Sequence, residues 1–229
     1  MDTAKATLKK FATPVILVGG GAIAWDLLNS VAPHKFPIIA VDTGARYLSE
    51  KGITPALIIG DMDSAPAAPA SSGAPEVIEI AEQETTDFEK ALYALDAPLF
   101  LAFGFWGKRL DHSLAALHSL TKYRSSKRVV LVDQVDLLFA PQGPLDLALP
   151  LATRVSLLPL KAVVFESSIG LKYPLDGLRL ESGSAIGVSN ETADDHFRVV
   201  PRPADKDNYV VVLPNAALPA VLSFVTRSL

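Results

Sequence analysis

The chain has 229 residues, of which 49% are hydrophobic and 20% are charged, a composition that suffices for a globular protein with a sizeable core in one large or two small domains. It contains no cysteine, which excludes disulfides, thiolate nucleophiles and cysteine-bound zinc. The formal net charge of -4, without a block rich in Lys and Arg, argues against a nucleic-acid partner and favours a small substrate.

The first part of the chain alternates short apolar runs with segments of helical periodicity. In chain order these are "PVILVGG", "AIAWDLLNSVA", "FPIIAVD", "GARYLSEKG" and "ALIIGD". This alternation predicts a βαβαβ arrangement, in which a parallel sheet carries helices on its faces. The stretch "SAPAAPASSGAP" is rich in Ala, Pro and Ser and predicts a mobile surface loop.

The alternation resumes after this loop and completes an α/β domain over residues 1–145. The segments "EVIEI", "PLFLAFG" and "RVVLVD" are predicted strands. Helices are predicted at about residues 86–95 and 111–122. The buried stripe of the second helix is predicted to consist of Leu114, Leu117 and Leu120.

Beyond about Leu145 the sequence changes to short strand-like runs separated by Gly, Pro, Asp and Asn. These runs are "RVSLLPL", "AVVFES", "SAIGVSN", "FRVV" and "YVVVLP", and they predict an all-β sandwich or barrel over residues 146–229. The final "NAALPAVLSFVTRSL" predicts a short helix with Pro219 in its first turn.

All apolar runs are much shorter than the ~20 residues that cross a bilayer, and residues 1–13 contain no secretory hydrophobic core. We therefore expect a cytoplasmic protein without a membrane partner.

A glycine turn follows the first predicted strand. The segment "GGGAIA", residues 19–24, fits G-x-G-x-x-A between a strand and a helix, and Asp42 ends the next strand about 20 residues later, as in dinucleotide-binding proteins. Similar turns bind other phosphates or no ligand at all. The motif therefore supports an NAD-type protein without deciding for it.

The stretch "IIGDMDS", residues 58–64, places two carboxylates directly after a strand. If the chain is extended there, Asp61 and Asp63 point to the same side, at the strand end where ligands bind in open α/β sheets. Two close anions need a compensating cation, and a hard divalent ion such as Mg²⁺ provides it. A solvated Asp-rich turn explains the same pattern without a ligand.

The segment "ETTDFEKAL" combines a helix start with candidate ligands. Thr86 and Glu89 fit a capping box, and Asp87 complements the helix dipole, which is a complete structural explanation. The helix is nevertheless predicted to begin at the same sheet edge as Asp61. Asp87 is therefore a candidate third metal ligand, and Lys90 is a candidate phosphate contact.

The segment "GFWGKRLDHSL" places Lys108 and Arg109 in a loop ahead of a helix that begins near Asp111 and His112. The guanidinium of Arg109 suits phosphate oxygens. An N-cap at Asp111, with Arg109 as its exposed partner, explains the same residues without a ligand.

Five carboxylates are thus predicted at the carboxyl edge of one sheet: Asp42, Asp61, Asp63, Asp87 and Asp111. A nucleoside triphosphate with Mg²⁺ needs acidic metal ligands together with Lys and Arg. The set therefore favours phosphoryl-type transfer over hydride transfer. Because G-x-x-x-x-G-K-[ST] is absent, the chain is not a P-loop enzyme.

In order and spacing, "VDTGARYL", "GITPALIIGDMDS", "TTDFEKAL" and "GKRLDHSLAAL" resemble thiamine pyrophosphokinase, and "VSLLPL", "GLKYPL" and "GVSNE" are similar to the second domain of that family. The resemblance covers nearly the whole chain. It implies an α/β fold with an N-terminal Rossmann-like parallel-sheet nucleotide domain and a C-terminal β-sandwich for thiamine binding and dimerisation. It also implies transfer of pyrophosphate from ATP to the hydroxyl of thiamine, with AMP released, in a homodimer whose subunits share active sites.

By the same resemblance, Asp61, Asp63 and Asp87 would hold Mg²⁺. Arg109 and Asp111 fall in the R-x-D-H motif of the family, and Ser189 and Asn190 match its S-N pair near the thiamine pocket. The implied catalytic residues are Asp42, Asp61, Asp63, Asp87, Arg109 and Asp111. The implied substrate-binding residues are Gly20, Gly21, Ser64, Lys90, Arg109, His112, Ser189 and Asn190.

The sequence also departs from the family pattern. The family usually has D-G-G or D-G-A where this chain has "DTGA", with Thr43 in second place, and usually Asp where Glu84 stands. It often has a second Gly in place of Lys108 and Asn in place of Ala116. Contacts made by those side chains in the family are therefore in doubt for this chain.

Two alternatives stay open from the sequence. An NAD-dependent oxidoreductase would use "GGGAIA" and Asp42, but it leaves the other acidic clusters unexplained. A non-catalytic nucleotide or thiamine sensor would keep the pocket, with turnover abolished by changes such as Thr43 and Ala116.

Overall fold

The computed structural model describes residues 7–31, 36–62 and 74–227 of a mixed α/β protein. Most of the predicted mobile loop lies outside the described residues, and so do Asp63 and Ser64. None of the described helices is long and apolar enough to cross a membrane.

The chain divides into two compact units. One consists of residues 1–123 and 131–134, and the other of residues 124–130 and 135–229. The domain boundary predicted at residue 145 stays a prediction.

The first unit carries a parallel sheet. Its elements are β1 (Lys9–Lys10), β2 (Val15–Val18), α1 (Trp25–Val31), β3 (Ile38–Val41), α2 (Gly44–Glu50), β4 (Leu57–Gly60), β5 (Glu76–Glu79), α3 (Asp87–Ala94), β6 (Leu95–Asp96), β7 (Phe100–Phe103) and α4 (Leu110–Tyr123). Strands β7, β2, β3, β4 and β5 pair in that order, all in parallel, and β1 pairs with β6.

Burial of the central strands follows from this arrangement. The four residues of β2 are at most 1% exposed, which is typical of a parallel strand covered on both faces. Because all these strands run in one direction, their carboxyl ends meet at one edge. Asp42 and Asp61 directly follow β3 and β4 and so lie at that edge.

Helix α3 begins as the sequence predicts, but its capping box is only half formed. Thr86 is the N-cap, and its Oγ1 accepts a hydrogen bond from the backbone N–H of Glu89 at 3.3 Å. The Glu89 carboxylate is 7% exposed and accepts hydrogen bonds from Lys122, at 2.6 Å, and from the hydroxyl of Tyr123. Glu89 therefore ties α3 to α4.

The predicted buried stripe of α4 is wrong in part. Leu114 is 56% exposed, whereas Ser113, Ala116 and Leu120 are buried. The buried stripe is therefore displaced by one residue at its start. Small side chains at Ser113 and Ala116 allow a close approach of neighbouring elements that a leucine would prevent. A prediction based only on the spacing of leucines therefore identified the wrong face of α4 as buried.

Strand β8 (Val129–Val132) contributes residues to both units. The second unit continues with β9 (Asp136–Phe139), β10 (Leu145–Ala148), β11 (Arg154–Pro159), β12 (Val163–Ile169), β13 (Arg179–Leu180), β14 (Gly187–Glu191), β15 (His196–Pro201), β16 (Tyr209–Pro214) and α5 (Leu218–Thr226). Strands β14, β11, β16 and β9 pair in that order, as do β10, β15, β12 and β13, all antiparallel. Pro219 lies in the first turn of α5, as predicted.

Candidate active site

A cavity of about 410 Å³ opens at the carboxyl edge of the parallel strands of the first unit. Its walls come from the turns after β2, β3, β4 and β7, the segment before α3, and the first turns of α4. The predicted site residues that line it are Gly20, Gly21, Asp42, Asp61, Asp87, Lys90, Arg109 and His112. The structure thus gathers residues that lie far apart in the sequence.

The glycine turn after β2 leaves little room for side chains. Gly21 donates its N–H to the carbonyl of Gly104 at 2.6 Å, and a Cβ on Gly21 would lie 2.6 Å from the same oxygen. The dinucleotide fingerprint places its glycines at the N-terminus of a helix. Here α1 begins only at Trp25, which argues against the NAD-type interpretation.

Asp42 is held in an unusual conformation beside the cavity. Its φ of 45° is left-handed, which costs a non-glycine residue on the order of 1–2 kcal/mol. Its Oδ2 accepts a hydrogen bond from Thr43 Oγ1 at 2.7 Å, so this departure from the family pattern has a local role. Its Oδ1 is buried without a hydrogen-bond partner among the described residues. Such an oxygen is costly unless an additional ligand binds it.

Gln83 and Lys90 both contact the Asp61 carboxylate. Gln83 donates from Nε2 to Asp61 Oδ2 at 3.0 Å, and Lys90 Nζ lies 3.6 Å from the same oxygen. The next residue, Met62, has a left-handed φ of 64°, so the chain is not extended through the motif. The argument that Asp61 and Asp63 point to the same side therefore fails. Asp63 lies outside the described residues, and its part in the site stays a prediction.

Lys90 is buried within this acidic group. Its side chain is 1% exposed, and its Nζ lies 3.0 Å from Asp87 Oδ1. Burial raises the pKa of Asp87; the hydrogen bond from Lys90 opposes the rise, and the charges of Asp42 and Asp61 add to it. Burial lowers the pKa of Lys90, but the bond to Asp87 and the nearby carboxylates outweigh it, so this pKa is raised overall. In this structure the charge of Lys90 is therefore directed at carboxylates, and its contact with a phosphate stays a prediction.

Within residues 7–31, 36–62 and 74–227, no group of three or more His, Asp or Glu side chains has metal-site geometry. Carboxylate oxygens are nevertheless the ligands that a hard divalent cation prefers, and Asp42, Asp61 and Asp87 all line the cavity.

The loop after β7 carries Arg109, which forms an exposed ion pair with Asp111 through two hydrogen bonds. Arg109 Nη2 lies 2.6 Å from Asp111 Oδ2, and Arg109 Nε lies 3.1 Å from Oδ1, with the two side chains 68% and 65% exposed. The hydrogen bonds from Arg109 hold the pKa of Asp111 below its usual range. Because α4 begins at Leu110, Asp111 lies in the first turn and not at the N-cap. It does not line the cavity, and its catalytic role stays a prediction.

Sequence reasoning missed the residues that order the segment before α3. Glu82 accepts hydrogen bonds from the backbone N–H groups of Glu84, at 2.6 Å, and Thr85, at 3.1 Å, and from the hydroxyl of Tyr93 at 3.0 Å. Burial and the Glu82 contact raise the pKa of Tyr93 to about 12. Gln83, which contacts Asp61, is part of this ordered segment. The only sequence signal for this ordered segment is the polar pair Glu82 and Gln83 ahead of "ETTD", and such a pair is equally typical of a helix start.

Ser189 and Asn190 lie on β14 in the second unit, and their environments differ. Asn190 is 3% exposed; its Oδ1 accepts from the N–H of Tyr173 at 3.0 Å, and its Nδ2 donates to the Tyr173 carbonyl at 2.7 Å. Ser189 has a left-handed φ of 58° and an exposed side chain, and its N–H donates to Ser156 Oγ at 3.1 Å. Asn190 therefore has a structural role that the sequence did not predict.

Comparisons with known proteins agree on one family. A family model described as "Thiamin pyrophosphokinase, catalytic domain" matches residues 28–132, and one described as "Thiamin pyrophosphokinase, vitamin B1 binding domain" matches residues 146–200. The thiamine pyrophosphokinase of Bacillus subtilis is 31% identical over 193 residues, which cover 76% of this chain and 87% of the relative.

A second relative, thiamin pyrophosphokinase 1 of Caenorhabditis elegans, is 31% identical over 152 residues, which cover 60% of this chain and 62% of the relative. This chain thus spans less than two thirds of the nematode protein. The crystal structure of the Bacillus subtilis thiamine pyrophosphokinase matches with a TM-score of 0.71 and 25% identity, and the match covers 88% of this chain and 98% of that one.

Proposed function

The chain belongs to the thiamin pyrophosphokinase family, and we propose that its acidic cavity is where pyrophosphate passes from ATP to thiamine. A thiamine pyrophosphokinase is an ATP:thiamine diphosphotransferase, whose products are thiamine diphosphate and AMP, and this is the function of the chain. The observation that carries the choice of cavity is the convergence of Asp42, Asp61 and Asp87 beside a glycine turn at one sheet edge.

The carboxylates of this cavity fit a divalent cation. Asp61 and Asp87 offer hard oxygen ligands, and the buried Oδ1 of Asp42 has no hydrogen-bond partner among the described residues, as expected beside a cation site. We assign the metal to Asp61, Asp63 and Asp87, with Asp42 beside them, and propose Mg²⁺ as the metal. When bound, it supplies positive charge that offsets the charge of the phosphate oxygens.

Arg109 is the proposed cation for the transferring group. Its ion pair with Asp111 is exposed and screened by solvent, so exchange of Asp111 for phosphate oxygens costs little. Gly20 and Gly21 let the phosphates approach the backbone closely, and His112 lines the same cavity. The thiamine hydroxyl attacks the β-phosphorus in line with the departing AMP, an orientation that the site maintains by holding ATP in the cavity beside the bound thiamine.

The thiamine-binding part is proposed to come from the second unit. Residues 146–200 match the vitamin B1 binding domain of the family, and this range includes Ser189 and Asn190. Ile186 and Val188 are 55% and 52% exposed beside Ser189, an apolar surface that suits a heteroaromatic ring. We propose a homodimer in which each active site combines the acidic cavity of one subunit with this surface of its partner.

Mixing inactive variants tests the shared site. Asp61→Asn damages the cavity and Ser189→Trp blocks the thiamine surface, so their heterodimer has one doubly damaged site and one intact site. Activity should therefore return on mixing. As a matched control, Asp61→Asn mixed with Asp87→Asn should stay inactive, because every site then has a damaged cavity. If subunit exchange is verified and the first mixture also stays inactive, the shared site is wrong.

The finer description of the fold belongs to the same proposal. The strand order β7-β2-β3-β4-β5 supports a Rossmann-like nucleotide domain within residues 1–145, and the antiparallel strands from β11 to β16 support a β-sandwich within residues 146–229. We also propose that the enzyme works in the cytoplasm.

Product analysis tests the proposed function. The purified protein, incubated with ATP, Mg²⁺ and thiamine, should release AMP only when thiamine is present and should form thiamine diphosphate in equal amount. ATP and thiamine binding without AMP release would identify a sensor, and thiamine-independent oxidation of NADH would identify the oxidoreductase. Either result would overturn the proposal.

A further inference from the structure

Among the described residues, three cationic side chains line the acidic cavity, namely Lys90, Lys108 and Arg109. Lys90 pairs with Asp87, and Arg109 pairs with Asp111. In the part of the chain that the structure describes, no carboxylate lies within ion-pair distance of Lys108. Its positive charge is therefore the one among the three without an anionic partner there.

The ammonium of Lys108 is held by neutral groups. Its Nζ lies 3.1 Å from the hydroxyl of Tyr47, on α2, and 3.4 Å from the carbonyl oxygen of Gly20, in the glycine turn. It also lies 4.7 Å from the centroid of the Tyr47 ring, within cation–π range. An ammonium has three N–H donors, and these contacts use two of them. One donor is left for a ligand in the cavity.

The backbone of Lys108 would suit glycine better. Its φ of 59° is left-handed, and Gly107 before it has a φ of 77°. The family often has a second glycine at this position. A lysine there is strained, and strained residues that persist in a binding site point to a role of the side chain.

The strand order shows where a phosphate chain would pass. The glycine turn follows β2, which lies between β7 on one side and β3 and β4 on the other. The loop with Lys108 follows β7, and Asp42 and Asp61 follow β3 and β4. A polyphosphate laid across the glycine turn therefore has Lys108 at one end and the acidic group at the other.

We propose that Lys108 is a nucleotide-binding residue particular to this chain, which donates to a phosphate oxygen of ATP while Tyr47 and Gly20 hold its ammonium in position. The inference rests on the proposed function, because it takes the polyphosphate of ATP as the anion. It adds a phosphate contact that a glycine at this position would lack.

Binding of ATP and of adenosine, measured calorimetrically with Mg²⁺ and without thiamine, tests this role. Lys108→Gln should weaken ATP binding about five- to tenfold and leave adenosine binding unchanged, because only ATP carries phosphates. Lys108→Arg should retain ATP affinity within about threefold. The KM for thiamine should not change in either variant.

Lys51→Gln is the matched control. Lys51 also lies over an aromatic ring, 5.4 Å from the Trp25 centroid, but it does not line the cavity. Its loss removes the same charge and a similar contact, and ATP affinity should stay unchanged.

Lys108→Gly separates binding from stability. Because glycine relieves the left-handed backbone, its melting temperature should equal or exceed that of the wild type while ATP binding falls. An unchanged ratio of ATP to adenosine affinity in Lys108→Gln would overturn the inference. Equal losses of ATP and adenosine affinity with a lower melting temperature would also overturn it, because they indicate a structural role. If the wild type itself neither binds ATP nor forms AMP, the proposed function fails first.

Discussion

Lys90 Nζ lies 3.0 Å from Asp87 Oδ1, one turn earlier on α3, and the lysine side chain is 1% exposed. The same ammonium lies 3.6 Å from Asp61 Oδ2. Two proposed metal ligands on different elements thus share one buried counter-ion. This cation keeps the acidic group together before any substrate binds.

Lys90→Met should destabilise the fold by about 2–3 kcal/mol, because it leaves partly buried carboxylates without their cation. Urea unfolding without divalent ions measures the loss. Adding Mg²⁺ should reduce the difference in the free energy of unfolding between Lys90→Met and the wild type, since a bound cation then offsets the charge of the same carboxylates.

Arg179→Met is the control for Lys90→Met. Arg179 pairs with Glu181, but the two side chains are 59% and 46% exposed, so we expect a change within about 0.5 kcal/mol. Equal effects of the two substitutions would contradict the counter-ion role of Lys90.

Asp61→Asn and Asp63→Asn should each reduce turnover about a hundredfold or more while the fold stays intact, because a lost metal ligand costs several kcal/mol of transition-state stabilisation. Steady-state rates at saturating Mg²⁺ and circular dichroism measure both effects. Asp26→Asn is the control, since Asp26 is an exposed carboxylate on α1 outside the cavity. Wild-type rates in both site variants would show that Asp61 and Asp63 belong to a polar turn without a catalytic role.

The sequence was sufficient to predict that Asp42, Asp61 and Asp87 lie at one edge of the sheet. Alternating runs placed Asp42 and Asp61 after parallel strands, and the Thr86 cap placed Asp87 at the start of a helix. These predictions rest on local patterns that do not depend on long-range packing. The strands Asp136–Phe139 and Leu145–Ala148 were not predicted from the sequence.

The surroundings of these residues depend on tertiary contacts and were harder to predict. Lys90 is buried because its neighbours on α3 are buried on all sides, which a charged residue in the sequence does not indicate. The exposure of Leu114 depends on which face of α4 is covered. Met62 has a left-handed backbone, which the sequence does not indicate because the residue is not a glycine.

Ser189→Ala and Asn190→Ala should separate thiamine binding from stability. Ser189→Ala should weaken thiamine binding by about 0.5–1.5 kcal/mol, the contribution of one neutral hydrogen bond, with ATP affinity and stability nearly unchanged. Asn190→Ala should lower the free energy of unfolding by about 1–3 kcal/mol, because it removes the two hydrogen bonds between the buried Asn190 side chain and the backbone of Tyr173. Calorimetry and urea unfolding of both variants measure the two effects. If Asn190→Ala is as stable as the wild type, the structural role of Asn190 is wrong.

Asp176 provides a pH-dependent contribution to stability. Hydrogen bonds from Ser168, through its hydroxyl at 2.7 Å and its N–H at 3.2 Å, hold the pKa of Asp176 below its usual value of 3.8. The folded state therefore binds this proton less readily than the unfolded state. The stabilisation is present above pH 3.8 and is lost as the pH falls through the lower folded pKa.

Asp176→Asn should accordingly be less stable than the wild type at pH 7. The difference should shrink as the pH falls below 3.8 and approach zero below the lower folded pKa, where the wild-type carboxyl is neutral as well. Urea unfolding at a series of pH values measures it. A difference that stays constant from pH 7 to pH 3 would show that the charge of Asp176 is not involved.

The fate of the individual phosphates of ATP tests the central claim most directly. The purified enzyme is given thiamine, Mg²⁺ and ATP labelled in separate experiments at the α-, β- or γ-phosphorus. Attack on the β-phosphorus predicts that the β- and γ-labels appear together in thiamine diphosphate and the α-label in AMP, in equal amounts, and that Asp61→Asn abolishes all three transfers. Transfer of the γ-label alone with release of ADP, or no thiamine-dependent transfer of any label, would contradict the account.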